Sequence, residues 1–457
     1  MMNNPELQRH VWVELNWHRL LVTFGVMTLA FLLTWFFDEY SFGDTTQTIA
    51  MTTFVIANYF YGSHMVGSSL VQEVLGHTWD YQRLSTQSAW SLTWGKIIGS
   101  TLYIWLVSGI ALLFILLSLD RQQAANWGGV GWYVFKLVGI GLALHGLSLL
   151  VSLATVRKNT QISKRHSTGV QLLFFFIFLP IYMPLEMAVA HKQSMVQWYG
   201  HPWPLALFIL FCVLLTLLWS WIGAWRLMGE ELQLRQLPWL WGAFTLFAAF
   251  FVGGIHLQPD DASHWHSFFS QGLWMVMFLT YGAAFLAGKD PLLFRRLSQN
   301  WSSGWRVRLL VTPPWMISLA LAALWLVCVL FTTSRSPWQL PWQMPDYGPD
   351  MDLLIWLDSK SIALSLFAFM VRDLLVMAWI NVHSRIRRND AAIMAYLLVV
   401  YLLLPSFAHI THAKQIVVLF YPQSGMPMAS IVAALVQAVL AAGVLFFTQR
   451  RSWQTTS

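Results

Sequence analysis

The sequence contains few charged residues. Only 10% of its 457 residues are Asp, Glu, Lys or Arg, whereas 57% are hydrophobic and the mean hydropathy is +0.56. A soluble domain carries about 25% charged residues. This shortage excludes a soluble enzyme, a disordered chain and a nucleic-acid-binding module, since each needs a charged surface. It predicts an all-α polytopic membrane protein.

Several signatures of chemistry are also missing. The two cysteines, Cys212 and Cys328, lie inside apolar runs, which argues against a disulfide framework and a cysteine-based metal site. The sequence has no H-E-x-x-H, no G-x-S-x-G and no G-x-x-x-x-G-K-[ST]. His264 and His266 stand near two aspartates, but without an established ligand spacing. We therefore predict no catalytic site, no metal site and no cofactor in this chain.

Apolar segments of about 20 residues, the length that a membrane helix needs, recur along the whole chain. We predict twelve spans, at 20–37, 48–71, 97–118, 130–156, 169–185, 204–225, 239–256, 268–287, 310–331, 361–382, 391–408 and 429–448.

Positive residues separate into alternate loops. If the N-terminus is cytoplasmic, most of the 27 Lys and Arg residues fall on the inner side, as short cytoplasmic loops require. The residues that fall elsewhere are Arg121, Lys136, Lys192, Arg335, Lys360, Arg372 and Lys414. This asymmetry predicts an even number of spans with both termini in the cytoplasm. The net charge of +7 then reflects topology and not an acidic partner.

The two halves of the chain resemble each other weakly. An Arg-Leu-Ser sequence follows the second predicted span at Arg83 and the eighth at Arg296, and another basic residue follows each. We predict two six-span halves in parallel orientation, residues 1–236 and 237–457, as in transporters with a central pathway. The alternative is a chance resemblance between basic loops.

The most specific segment is the loop after the second predicted span. It reads Q-E-V-L-G-H-T-W-D-Y-Q-R-L-S over residues 72–85, and the next span opens with Gly95-Lys96. This loop resembles the one between the second and third spans of type-2 ATP-binding-cassette (ABC) exporter permeases. The resemblance implies that the segment couples the chain to a separate ABC ATP-binding subunit. The residues implied are Glu73, Thr78, Trp79, Asp80, Arg83, Leu84 and Lys96. The alternative is a short helix lying on lipid headgroups.

The resemblance covers the first half of the chain and fades in the second. There the loop has Asp290-Pro291 in place of the Thr-Trp-Asp element. A second cytoplasmic contact therefore rests only on three basic residues, Arg295, Arg296 and Arg306. The resemblance implies a fused twelve-span permease of a bacterial cytoplasmic (inner) membrane, with ATP bound by the partner. The transported substrate is not identified.

Three of the polar residues inside predicted spans are candidates for a functional or helix-packing role. Arg372 and Asp373 lie about 20 Å from the basic loop at Arg385, by the rise of a helix. Charges at that depth line a pathway or neutralise each other between helices, and both interpretations are open. His145 has a similar place in the first half, where helix packing is the favoured role.

Two further functions compete with the ABC permease. An ion-coupled secondary transporter with two six-span halves would use Arg372 and Asp373 to handle charge or protons. A membrane-embedded enzyme or an assembly scaffold is disfavoured because the sequence contains no reactive cluster. Two local features accompany these hypotheses. Residues 5–19 are predicted to form an amphipathic helix at the inner interface, and Gly95 and Gly99 form a G-x-x-x-G helix-packing motif.

Overall fold

The structure is a computed structural model. It describes residues 4–119, 127–158, 195–234, 239–255, 257, 264–287, 290, 292–332, 359–382, 389–411, 414–422 and 426–454. The fifth predicted span, 169–185, lies outside these residues, as does the basic loop at 383–388.

The chain divides into two compact units. Unit 1 comprises Met1–Ser194 and Pro204–Gln236, and unit 2 comprises Met195–Trp203 and Leu237–Ser457. The helices of unit 1 are α1 (Pro5–Glu14), α2 (Trp17–Phe37), α3 (Asp44–Phe54), a π-helical segment (Val55–Gly62), α4 (Ser63–Leu75), α5 (Trp79–Arg83), α6 (Ala89–Gly99), α7 (Leu102–Leu117), α8 (Trp127–Lys158) and α9 (Leu205–Glu231).

Unit 2 contains a short hairpin and a second set of helices. The hairpin strands are β1 (Met195–Trp198) and β2 (His201–Pro204), which runs into unit 1 at its last residue. The helices are α10 (Trp239–Ile255), α11 (His264–Leu286), α12 (Leu293–Gln299), α13 (Trp305–Val311), α14 (Pro314–Phe331), α15 (Ser359–Val382), α16 (Asn389–Leu398), a π-helical segment (Val399–Leu403), α17 (Leu404–Ile410), a 3-10 helix (Lys414–Leu419) and α18 (Pro427–Gln454).

Many of these helices match a bilayer in length and hydropathy. Among the described residues, eight helices are long and apolar enough to cross a membrane. A ninth crossing results if α6 and α7, which meet at 48°, form one span. Helix α10 is apolar but shorter, at 17 residues. The chain is therefore an all-α polytopic membrane protein with eight or nine such helices in its described part.

The start of α3 shows how polar residues end one helix and begin the next. Asp38 follows α2, and its Oδ2 accepts hydrogen bonds from the backbone N–H groups of Gly43 and Thr46 at 3.1 and 3.0 Å. These bonds satisfy N–H groups at the first turn of α3. Hydrogen bonds from the Thr45 side chain and from the Thr46 backbone lower the pKa of Asp38 to about 2. The Asp38 carboxylate is therefore ionised at neutral pH.

The hairpin was not predicted, because residues 195–204 lie in an outer connection of the sequence-based topology. Tyr199 and Gly200 both have positive φ angles, 51° and 72°, which is the geometry of a two-residue type I′ turn. Tyr199 N–H donates to the carbonyl oxygen of Gly254 at 2.8 Å, and the Trp198 indole donates to that of Phe251 at 3.2 Å. Both acceptors lie near the end of α10, and the Gly254 carbonyl is among the last four, which lack partners within the helix.

Candidate functional site

Helix α1 is fixed at its start by a side-chain cap. The Asn4 side-chain oxygen accepts hydrogen bonds from the backbone N–H groups of Glu6 and Leu7, at 3.0 and 3.4 Å. Such a cap satisfies N–H groups that have no partner within the helix. Asn4 Nδ2 also donates to the carbonyl oxygen of Ser91 at 2.8 Å, so the same side chain attaches α1 to the adjacent helix α6.

Two glycines let α1 lie directly on α6. A Cβ atom at Gly95 would stand 3.0 Å from Glu6 Cβ, and one at Gly99 would stand 2.7 Å from His10 Cδ2. The second distance is shorter than real Cβ contacts, so a larger residue at position 99 would displace His10. The G-x-x-x-G motif therefore packs α6 against the N-terminal helix.

Four charged side chains meet where α1, α4 and α6 come together, and we call Glu6, Arg9, Glu73 and Lys96 the ion cluster. Lys96 is fully buried, and its Nζ donates to Glu73 Oε2 and, at 3.4 Å, to Glu6 Oε1. Arg9 Nη2 lies 2.7 Å from Glu6 Oε1 and 2.7 Å from Glu73 Oε1. Each carboxylate has two cationic partners, and the four formal charges cancel.

Complete pairing is what makes burial of the ion cluster tolerable. Taking an ion out of water costs several kcal/mol unless a partner compensates for the lost hydration. Burial raises the pKa of Glu6, but the hydrogen bond with His10 and the charges of Lys96 and Arg9 outweigh it and lower the pKa to about 2. For Arg9, burial lowers the pKa and the carboxylates of Glu6 and Glu73 raise it, with a net rise. Glu6 and Arg9 are thus both charged at neutral pH.

The turn from α4 into α5 has the hydrogen bonds of a Schellman motif. The Thr78 N–H donates to the Glu73 carbonyl oxygen at 3.0 Å, and the His77 N–H donates to that of Val74 at 3.2 Å. His77 takes the left-handed conformation, with φ 55°, at the position where glycine is usual. The Thr78 hydroxyl adds a bond of 3.2 Å to the same Glu73 carbonyl. Glu73 therefore anchors α5 through its backbone and belongs to the ion cluster through its side chain.

One side of α5 faces the protein. Trp79 is 3% exposed, and Lys96 Nζ lies 5.2 Å from the centre of its ring. Arg83 Nε donates to the carbonyl oxygen of Glu231, the last residue of α9, at 3.1 Å. The short helix is therefore held at one end by the ion cluster and at the other by α9.

The other side of α5 faces outward, and we call Asp80, Tyr81 and Leu84 the α5 surface. Their exposed fractions are 74% for the Asp80 side chain, 78% for Tyr81 and 86% for Leu84. Arg83 Nη1 lies 3.7 Å from Asp80 Oδ1, so charge of both signs borders the two apolar side chains. A small mixed surface of this kind can dock into a groove of another protein.

The structure separates the predicted coupling residues by environment. Glu73 and Lys96 lie in the ion cluster, and Trp79 packs beside it. Thr78 is exposed in the turn, Asp80 and Leu84 belong to the α5 surface, and Arg83 binds the end of α9.

Sequence reasoning missed the contribution of α1. It predicted an interfacial helix over 5–19, whereas α1 ends at Glu14 and packs its charged face against α6. Glu6, Arg9 and His10 fall on that one face at helical spacing. This spacing could have predicted a charged face on α1, but it could not have predicted that the face packs against α6.

The predicted second-half contact has no comparable support within the described residues. Arg295 and Arg296 lie on α12 and Arg306 lies on α13, and all three are exposed. Arg296 pairs with Asp290, and Arg306 stands 5.4 Å from the Trp305 ring centre. These arginines are not gathered into one buried site.

In the weak repeat, Arg308 follows Arg296 as Lys96 follows Arg83, and its environment differs from that of Lys96. Arg308 is exposed on α13, and its Nε donates to the carbonyl oxygen of Ser303 at 2.9 Å. The two halves therefore differ at the very position where the first half has its buried cation.

The predicted intramembrane pair lies near the middle of α15 and is buried. Arg372 Nε donates to Asp373 Oδ1 at 2.8 Å. The Asp373 carboxylate also accepts hydrogen bonds from the hydroxyl groups of Tyr281, Tyr396 and Tyr401, at 2.7, 2.6 and 2.5 Å. Its two oxygens thus accept hydrogen bonds from four residues.

The guanidinium group of Arg372 is also well supplied with partners. Nη1 donates to Gln437 Oε1 at 2.8 Å, and Nη2 donates to the Tyr401 hydroxyl at 3.0 Å. Gln437 Nε2 in turn donates to the Leu419 carbonyl oxygen at 3.0 Å. This network joins α11, α15, α16, α18, the π-helical segment Val399–Leu403 and the 3-10 helix. It favours the interpretation of a pair that neutralises itself between helices.

His145 lies on α8 and is fully buried. Its Nε2 is 3.0 Å from the backbone carbonyl oxygen of Asn58, which lies in the π-helical segment Val55–Gly62. A π-helix displaces carbonyl groups from regular α-helical bonding, so a side-chain donor at this point stabilises it. A Cβ at Gly62 would stand 2.4 Å from the same nitrogen. His145 therefore holds a close helix–helix contact.

Among the described residues, no group of three or more His, Cys, Asp or Glu side chains could hold a metal ion. No known protein family, curated protein or solved structure matches this chain.

Proposed function

We propose that this chain is the membrane-spanning subunit of a type-2 ABC exporter, and that separate ABC ATP-binding subunits supply the energy. The observation that carries the proposal is the α5 surface, which is exposed on a short helix that the ion cluster holds from behind. The residues of this site lie in the loop on which the sequence resemblance rests. The proposed chain has twelve spans in two six-span halves, both termini in the cytoplasm and a place in a bacterial cytoplasmic membrane.

The arrangement around α5 supports coupling by a mechanical argument. Glu73 lies in the last turn of α4, and Lys96 lies on α6, which precedes α7. Arg9 bonds to Glu73 and Glu6 bonds to Lys96, so α1 is attached to both helices. A force on the α5 surface therefore reaches α1, α4 and α6 together. A helix that only rested on lipid headgroups would need no buried charged base of this kind.

The division of labour follows from the sequence. The chain has no phosphate-binding loop, so ATP binding belongs to the partner in this proposal. The ATP-binding subunit would contact Asp80, Tyr81 and Leu84, while the ion cluster would transmit the movement. The second half would share the pathway without a matching docking site, since its arginines form no comparable buried base.

The proposal is tested on the intact chain purified from its native membranes. We expect an ATP-binding-cassette subunit to co-purify, and we expect Tyr81→Ala with Leu84→Ala to reduce its retention at least tenfold. Glu39→Gln is the control. Glu39 is exposed and follows the C-terminal end of α2, whereas α1 of the ion cluster precedes the N-terminal end of α2. Retention of the ATPase at the wild-type level by the α5 variant would show that the docking site is wrong.

The ion-coupled alternative predicts a different result. In vesicles that contain only this chain, an ion gradient without ATP would drive transport. The Arg372–Asp373 pair gives this alternative little support, because four donors already occupy its carboxylate. ATP-independent transport by the isolated chain would nevertheless reject the ABC proposal.

A further inference from the structure

Helices α12 and α13 form a segment of one charge sign, and we call residues 292–312 the basic segment. It contains no Asp or Glu and four arginines, Arg295, Arg296, Arg306 and Arg308. The preceding acid, Asp290, pairs with Arg296 and so offsets one of the four charges. All four arginines are exposed, and the segment therefore presents a net positive surface.

Large apolar side chains are exposed on the same segment. Trp301 is 74% exposed and Trp305 is 62% exposed, and Val307 and Leu310 are each more than 40% exposed. Helix α13 has no buried residue. In water this combination would be unfavourable, whereas at the headgroup level of a bilayer Trp and Arg are both favoured.

The chain places this surface next to the bilayer. Helix α13 ends at Val311, and α14 begins at Pro314. Helix α14 is one of the eight helices that are long and apolar enough to cross a membrane. The arginines of α13 therefore lie within about two turns of a membrane entry point.

The first-half loop differs from the basic segment in the charge that it exposes. There Asp80 stands beside Arg83, and the cation Lys96 is buried in the ion cluster. That loop offers an exposed surface of mixed charge, which suits a protein partner. The basic segment offers only positive charge and exposed tryptophan, which suits a phosphate-rich surface.

We propose that the basic segment binds the anionic phospholipid headgroups of the bilayer in which α14 is inserted. The guanidinium groups contact headgroup phosphates, and Trp301, Trp305 and Leu310 enter the headgroup layer. The segment thereby holds the start of α14 at the membrane surface. This inference does not require an ATP-binding partner, so it stands or falls separately from the proposed function.

The test uses the full chain in vesicles of phosphatidylcholine, alone or mixed with phosphatidylglycerol. A fluorophore is placed at Leu309→Cys in a Cys212→Ala, Cys328→Ala background, and its access to a neutral aqueous quencher is measured. A neutral quencher is needed because the anionic surface would repel an anion. We expect protection at position 309 to grow with the phosphatidylglycerol fraction and to weaken at high salt.

The arginines are then tested directly. Each basic residue near an anionic surface strengthens the attraction about fivefold. Arg306→Gln with Arg308→Gln should therefore lower the equilibrium constant for contact with the anionic surface by roughly 25-fold, so that half-protection requires a higher phosphatidylglycerol fraction than in the parent protein. The matched control is the same fluorophore at Tyr81→Cys on the α5 surface, where we expect no dependence on phosphatidylglycerol.

Three results would overturn the inference. The first is protection at position 309 that is independent of phosphatidylglycerol and salt. The second is an equal response at position 81, which would indicate a general surface effect. The third is protection that appears only when an ATP-binding subunit is bound, which would assign the segment to a protein partner. The salt dependence of protection at position 309 is measured with the arginines intact, so it tests the inference even if the double variant folds poorly.

Discussion

The Glu73 carboxylate and the Lys96 ammonium group form a buried ion pair between residues 23 positions apart. Glu73 belongs to α4 and Lys96 to α6, and the loop between them carries α5. The pair therefore closes this loop at its base. Because Arg9 bonds to the same carboxylate, the closed loop is also attached to the N-terminal helix.

Removal of Lys96 should be costly. Lys96→Met leaves the carboxylates of Glu6 and Glu73 buried with Arg9 as their one remaining cation, and breaking a buried pair on one side costs about 3–5 kcal/mol. Thermal unfolding of the purified protein in detergent should show this loss. Adding Glu73→Gln to Lys96→Met should recover part of it, because the unpaired charge is then removed. Asp80→Asn is the control, since its exposed pair with Arg83 contributes at most about 1 kcal/mol.

The close approach of α1 to α6 makes position 99 sensitive to size. Gly99→Ala should destabilise the protein, because the new Cβ would lie 2.7 Å from His10. Adding His10→Ala should restore part of the stability by making room. Gly109→Ala in α7 is the matched control, since nothing lies within 4 Å of a Cβ there, and it should gain about 0.5–1 kcal/mol. An equal effect at both glycines in thermal unfolding would contradict the packing described for α1.

A single hydroxyl at the intramembrane pair should have a measurable effect. Tyr281→Phe removes one of the four donors to the Asp373 carboxylate, and a hydrogen bond to a charged group contributes about 1.5–3 kcal/mol. The measurement is unfolding in detergent. Tyr61→Phe should have little effect, because Tyr61 is half-exposed. A stable Tyr281→Phe protein with impaired transport would favour a pathway role for the pair.

Acid should weaken the attachment of α1 in a defined range. The pKa of Glu6 falls from its ordinary value of 4.5 to about 2 in the folded protein, so the folded state favours the ionised form. Its contribution to stability is complete above pH 4.5 and is lost as the pH falls toward 2. The melting temperature of the wild type should therefore exceed that of Glu6→Gln by a constant amount near neutral pH. This difference in melting temperature should shrink below pH 4.5. A difference that grew on acidification would contradict the lowered pKa of Glu6.

Hydropathy predicted the long helices well, because burial in lipid requires continuous apolar runs. The predicted spans 20–37, 204–225 and 361–382 correspond to Trp17–Phe37, Leu205–Glu231 and Ser359–Val382. The breaks were not predicted. The π-helical segment at Val55–Gly62 is contacted by His145 from the distant helix α8, and the bend between α6 and α7 follows no proline.

The sequence singled out some residues of the candidate site but not their partners. The loop motif drew attention to Glu73 and Lys96, and helix geometry placed Arg372 and Asp373 deep in the membrane. Their partners come from far along the chain, as with Glu6 on Lys96 and Tyr281 on Asp373. Composition and spacing carry no information on such long-range pairs, so the partners became visible only in three dimensions.

The β1–β2 hairpin makes the order of the polypeptide matter for assembly. The hairpin packs on α10 within unit 2, although the chain on both sides of it belongs to unit 1. A gene divided between residues 236 and 237 would leave the hairpin on the first product. The second product would then lack a packing element that it could recover only by fragment complementation, so a single continuous gene has an assembly advantage over two separate ones.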